Sequence, residues 1–173
     1  MRAQAEQPGG QGSTRTNRGF SLIELLIVVA VILTIAAIAI PNFIRSKMRA
    51  NEAGAVQNLR TVVTASVAYS ITYNIGFAAS LAALGPTPGN PLQVSSSHAG
   101  LIDDVLAAGA KSGYAFTYQA TDVDGDGKMD IYTVQADPLN PGVTGQRHYF
   151  TDQTCLIRYN DTAAATATDP PIS

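Results

Sequence analysis

Residues 20–40 read FSLIELLIVVAVILTIAAIAI, an apolar run interrupted only by Ser21, Glu24 and Thr34. A helix of about 20 apolar residues is long enough to cross a bilayer. Pro41 closes the run, and beyond it the pattern changes rather than stops. Val56, Leu59, Val62, Val63 and Val67 recur at spacings of three and four, the stripe of an amphipathic helix. Arg45, Lys47 and Arg49 lie between the two patterns. One helix over residues 21–73 is expected, kinked or locally unwound near Pro41, whose ring removes a backbone donor and crowds the preceding turn. Two helices separated at Pro41 are the alternative.

The pattern after residue 76 is different. Residues 80–85 read as a short helical turn stopped by the Gly/Pro cluster of residues 85–91. Leu101, Val105 and Leu106 give helical spacing over 101–110. Strand signals follow: alternating Tyr114, Phe116 and Tyr118, then β-rich segments at 131–134, 147–151 and 155–159. About four antiparallel strands in a meander are expected, with one face on the amphipathic half of the long helix. The fold class is α+β. The expected divisions are 1–19, 20–40 (membrane-spanning), 41–76 (amphipathic helix), 77–113 (connecting loop with short helices), 114–160 (antiparallel sheet) and 161–173 (a loose tail rich in Ala, Thr and Pro).

Composition narrows the chemistry. The net charge of −2 argues against a nucleic-acid partner. A single cysteine, Cys155, excludes an internal disulfide; inside a predicted strand it reads as a small buried hydrophobe. His98 and His148 show no metal-binding or catalytic spacing and read as surface or packing residues. Phe20, Phe43, Tyr69, Tyr73 and Phe77 read as packing and interface aromatics. No nucleophile–base constellation is visible, so an enzyme is not expected.

Glu24 is the residue that asks for an explanation. An ionised side chain at the centre of a membrane helix costs roughly 2.5–3.5 kcal/mol on insertion scales, so a carboxylate in this run calls for a partner. The preceding segment, residues 1–19, is polar, with Arg2, Arg15 and Arg18, and is expected to be unstructured and to remain cytoplasmic. Residues 18–30, RGFSLIELLIVVA, continued by AAIAIP at 36–41, resemble the class III signal of type IV pilins and type II secretion pseudopilins. The likeness covers about residues 18–75. It implies cleavage after Gly19 by a prepilin peptidase, N-methylation of Phe20, and assembly of hydrophobic helices into a filament core. There Glu24 of one subunit meets the new α-amine of Phe20 on its neighbour, a paired charge in an apolar setting being tolerable where an orphan is not. It also implies an inner-membrane platform protein and an assembly ATPase as partners, and a stretch near Pro41 that melts on assembly.

The resemblance implies a structural subunit like a major type IV pilin. It would be held in the bacterial inner membrane by one span with its N-terminus in the cytoplasm, and would form a homo-oligomeric filament at the cell surface. A pseudopilin forming a short periplasmic pseudopilus is the alternative. The Trp-containing calcium loop usual in major pseudopilins is not matched, since the chain has no Trp. A third reading is a membrane-anchored calcium-binding domain. Asp122, Asp124, Asp126 and Asp130, with Gly127 between, follow the first nine positions of an EF-hand-type loop, but Thr133 stands where its bidentate Glu belongs. No cofactor is required, and calcium is the one candidate. A solvated Asp/Gly turn explains the same residues without a cation.

Overall fold

The computed structural model describes residues 19–172. Two compact units are delimited, one ending at Ile40 and the other running Pro41–Ser173. The residue 1–18 part of the expected leader lies outside the described residues.

In the first unit the described residues are Gly19, Phe20 and Ser21 and then the opening turns of α1 (Leu22–Tyr73), a helix of 52 residues with Pro41 inside it. The single helix expected over 21–73 is observed to within a residue, and helical structure continues through Pro41. The apolar side chains of residues 22–40 are exposed around the helix, with Ala36 alone half-buried. Thr34 satisfies its hydroxyl locally by donating to the Ala30 carbonyl at 2.8 Å, the usual resolution for a polar group on a membrane-type helix. The helix ends at Asn74, which takes the left-handed conformation (φ 52) and donates its amide to the Ser70 carbonyl at 3.0 Å.

In the second unit α1 presents Ala55, Leu59, Val62, Ala65 and Tyr69 as one buried stripe. It packs in a common core with an antiparallel sheet of five strands in the order β1-β2-β3-β4-β5. These are β1 (Ala110–Lys111), β2 (Tyr114–Thr121), β3 (Ile131–Pro138), β4 (His148–Asp152) and β5 (Arg158–Asn160). The expected meander is present, with β1 as an added strand. β3 alternates without a break: Tyr132, Val134 and Ala136 are buried and the residues between them are half-buried. Ser112 and Gly113, both at positive φ (53 and 76), make the two-residue β1–β2 turn. That turn lies against Gly54 of α1, where an added Cβ would meet the Ser112 side chain at 3.2 Å.

Two short helices fill the connection. α2 (Leu81–Leu84) is capped by Ser80, whose hydroxyl accepts the Ala83 amide at 3.3 Å. α3 (Asp104–Ala107) is shorter than the 101–110 helix expected, because Asp103 caps it late and Gly109 (φ 84) turns the chain away. Tyr69 of α1 secures this connection by donating its hydroxyl to the Ser96 carbonyl at 2.7 Å.

Two expectations need correction, and His148 gains a partner. The strand expected at 155–159 starts only at Arg158, because Cys155 sits in a turn at φ 61, where it is exposed rather than buried. His148 has a carboxylate neighbour that sequence spacing does not show: its Nδ1 lies 2.6 Å from Asp137 on the adjacent strand. The tail expected to be loose is bonded to the sheet edge. Ile172 N–H donates to Ile157 at 3.0 Å, Tyr159 N–H to Pro170 at 3.1 Å, and the Arg158 guanidinium to the Asp169 carbonyl at 2.7 Å.

Candidate functional site: the N-terminal helix and its charges

Ser21 begins the hydrogen bonding of α1, its carbonyl accepting from Glu24 N–H at 3.1 Å and Leu25 N–H at 3.2 Å. Glu24 therefore stands in the first turn, where the unpaired amides of a helix start favour a carboxylate. It is exposed, and no described residue pairs with it. Phe20 is 79 % exposed and, like Gly19, precedes the helix. Gly19, Phe20 and Glu24 thus lie within six consecutive positions at the head of an apolar helix. That surface is far larger than a soluble monomer ordinarily leaves open.

The acidic loop is built differently from a bare charge cluster. Asp122 accepts the Gly125 amide at 2.7 Å through Oδ1 and the Gly127 amide at 2.8 Å through Oδ2. Asp124 accepts from Asp126 N–H at 3.1 Å, Asp126 from Lys128 N–H at 2.8 Å, and Asp130 from Val123 N–H at 2.8 Å. The Gly127 and Gly125 amides hold the Asp122 carboxyl below its ordinary range. Asp122, Asp124 and Asp130 bring ligand oxygens within 4.8 Å of one another, whereas Asp126 stands outside that set and approaches the Lys128 ammonium at 3.4 Å. Thr133 lies within β3, paired to Asp152, away from a twelfth-ligand role.

A second charged feature escapes sequence reasoning. The Glu52 carboxylate, on α1, accepts the backbone amides of Gln146 and Arg147 at 3.0 and 3.4 Å. Arg147 is held by Asp161 at 3.0 Å and lies 4.9 Å over the Tyr159 ring. Arg45 and Arg49 join Arg147 around a notch of 550 Å³. The visible signal was the four-residue spacing of Arg45 and Arg49; Arg147 is brought to them only by the tertiary fold.

The described chain is thus an exposed apolar helix head whose amphipathic continuation packs on an antiparallel meander. Comparison with known proteins finds relatives for it. A family model described as the prokaryotic N-terminal methylation motif matches residues 14–40. The chain is 53 % identical over 53 residues to the type IV major pilin protein PilA of Myxococcus xanthus, covering 31 % of this chain and 24 % of that protein. It is 42 % identical over 60 residues to the type IV wide pilus major component PilA4 of Thermus thermophilus, covering 35 % and 46 %. It is 33 % identical over 115 residues to a fimbrial protein of Pseudomonas aeruginosa, covering 58 % and 74 %. The chain thus spans less than half the length of the first two relatives and about three quarters of the third. No solved structure matches it. The chain belongs to the type IV pilin family.

Proposed function

We propose that the chain is a structural filament subunit and not an enzyme. A prepilin peptidase cuts it after Gly19 and methylates the amine of Phe20, and it polymerises through α1 into a surface pilus. The observation that carries this reading is the exposed apolar helix of residues 22–40 with the unpartnered Glu24 in its first turn. Before assembly the helix spans the inner membrane with the N-terminus in the cytoplasm. Afterwards the same surface lies against other copies, and Glu24 meets the Phe20 amine of a neighbour. The names of the relatives, two of them major pilus components, support a pilus over a pseudopilus. A platform protein and an assembly ATPase complete the machinery. Pro41, which cannot donate to the residue four positions back, is the place where the helix yields on assembly.

Two measurements test this. Mass spectrometry of the mature protein is expected to find a chain beginning at methylated Phe20; an intact Met1 overturns the reading. Glu24→Ala is expected to be processed normally yet give few sheared filaments, and a wild-type yield removes Glu24 from assembly. Calcium at Asp122, Asp124 and Asp130 is a subordinate part of the proposal, supported by the convergence of their oxygens. Calorimetry showing no heat at millimolar calcium removes it.

A further inference from the structure

We propose that Arg45, Arg49 and Arg147 form a seat for the phosphate of an anionic phospholipid headgroup. This inference rests on the membrane-anchored reading above. Arg45 and Arg49 are one turn apart on α1 and share a face. Together with Arg147 they line the 550 Å³ notch. Both carboxylates at the notch are engaged: Glu52 by the Gln146 and Arg147 amides, Asp161 by the Arg147 side chain. Among the described residues no carboxylate stands within ion-pair distance of Arg45 or Arg49. Guanidinium groups suit phosphate oxygens, offering planar paired donors without losing their charge.

Position along the chain points to a lipid as the source of that phosphate. Arg45 follows Ile40, the last residue of the apolar run, by five positions, and the intervening Phe43 and Ile44 are exposed. Apolar residues beside long basic side chains form the composition of a membrane interface. Basic residues on the translocated flank oppose the preference for positive charge in the cytoplasm. Here Arg45, Lys47 and Arg49 on that flank match Arg2, Arg15 and Arg18 on the other. Anionic headgroups compensate such charges while the subunit waits in the bilayer. Carboxylates of another copy become available only on assembly.

The test uses the full-length chain and its Arg45→Gln/Arg49→Gln variant in nanodiscs of phosphatidylcholine containing phosphatidylglycerol, with retained lipids counted by native mass spectrometry. The wild type is expected to keep phosphatidylglycerol in preference to phosphatidylcholine. The double variant is expected to lose that preference by roughly tenfold or more, with helicity and resistance to carbonate extraction unchanged. Arg147→Gln is expected to lose less, in the same direction. Equal retention of the two lipids by the wild type, or an undiminished preference in the double variant, overturns the proposal. An undiminished preference with lowered filament yield assigns the arginines to contact between copies instead. Inorganic phosphate binding in pure phosphatidylcholine discs, without any phosphatidylglycerol preference, assigns a free-anion site and also overturns it. Extraction of the wild type by carbonate is a separate failure, that of the membrane reading itself.

Discussion

Among single residues, the tyrosines carry the clearest pH signature. Burial pushes the Tyr118 and Tyr149 phenols up to about 12, and raises Tyr114 and Tyr132 further. Tyr118 and Tyr132 stack with ring centres 5.5 Å apart. Ser66 Oγ is close enough to both to favour their ionised forms, yet no pair meets hydrogen-bond geometry, and all three hydroxyls are buried without a partner. The folded state therefore holds these phenols neutral where the unfolded chain releases their protons. The sign follows: their stabilising effect is full below the ordinary phenol value of 10.0 and is lost as pH climbs from there towards 12. Alkaline titration followed by tyrosinate absorbance and circular dichroism is expected to show delayed ionisation that coincides with unfolding; four tyrosines ionising near 10 in a still-folded chain would contradict it. Asp122 runs the other way. Its carboxyl is held low by the Gly127 and Gly125 amides, so its contribution is present above the ordinary carboxyl value of 3.8 and lost as pH falls through the depressed one. Asp122→Ala is expected to speed hydrogen exchange at Gly125 and Gly127 specifically, leaving the amides of β2 unchanged.

For the elements, the α1 stripe that shares one core with the sheet is the seam of the second unit. Leu59 and Val62 are fully buried there, facing a core that includes Val134 and Ala136. Leu59→Ala is expected to lower unfolding free energy by about 2–5 kcal/mol, the cost of lost transfer energy plus the cavity left behind. Denaturant unfolding of the full-length chain reads this; a loss below about 1 kcal/mol would mean the stripe does not carry the core. α1 was legible because its apolar run is long and its stripe spans several turns, so local noise averages out. β2 and β3 were legible through alternation. β1 was not, since two residues carry no periodicity and the strand exists only because Ser112 and Gly113 turn it onto β2. Cys155, Leu156 and Ile157 read as strand because all three are apolar. A left-handed backbone at Cys155 splits the segment, leaving Leu156 41 % exposed and Ile157 buried. The bond from Glu52 to the Arg147 amide spans 95 positions, a distance over which spacing says nothing.

For the whole molecule, the family likeness at the head of α1 was readable at once, because the residues that carry it are consecutive along the chain, within the 14–40 stretch that the family model matches. The notch was not, because three arginines on two elements meet only through the fold. Cys155 supplies a probe of the arrangement in cells. It is the chain's sole cysteine and its turn is exposed. In the orientation proposed above, with α1 crossing the inner membrane and its N-terminus in the cytoplasm, Cys155 is expected outside the cytoplasm. A membrane-impermeant maleimide is expected to label Cys155 in cells with a permeabilised outer membrane and an intact inner one. Labelling only after lysis would reverse the orientation, and Cys155→Ser is the control.

The acidic turn also bears on how long a subunit lasts. Asp124-Gly125 and Asp126-Gly127 are the kind of peptide bond at which the glycine nitrogen attacks the preceding side-chain carboxyl and expels water to close a succinimide, which water then reopens to leave an isomerised backbone. Asp122 holds the hydrogens of both glycine nitrogens, at 2.7 and 2.8 Å. The attacking atoms are thereby tied down at both sites by one carboxylate. In the filament proposed above, beyond the reach of cytoplasmic repair, that would be protection against chemical ageing. Peptide mapping of stored Asp122→Ala protein is expected to find isoaspartate accumulating faster at Asp124 and Asp126 than in the wild type, and equal rates would remove the idea.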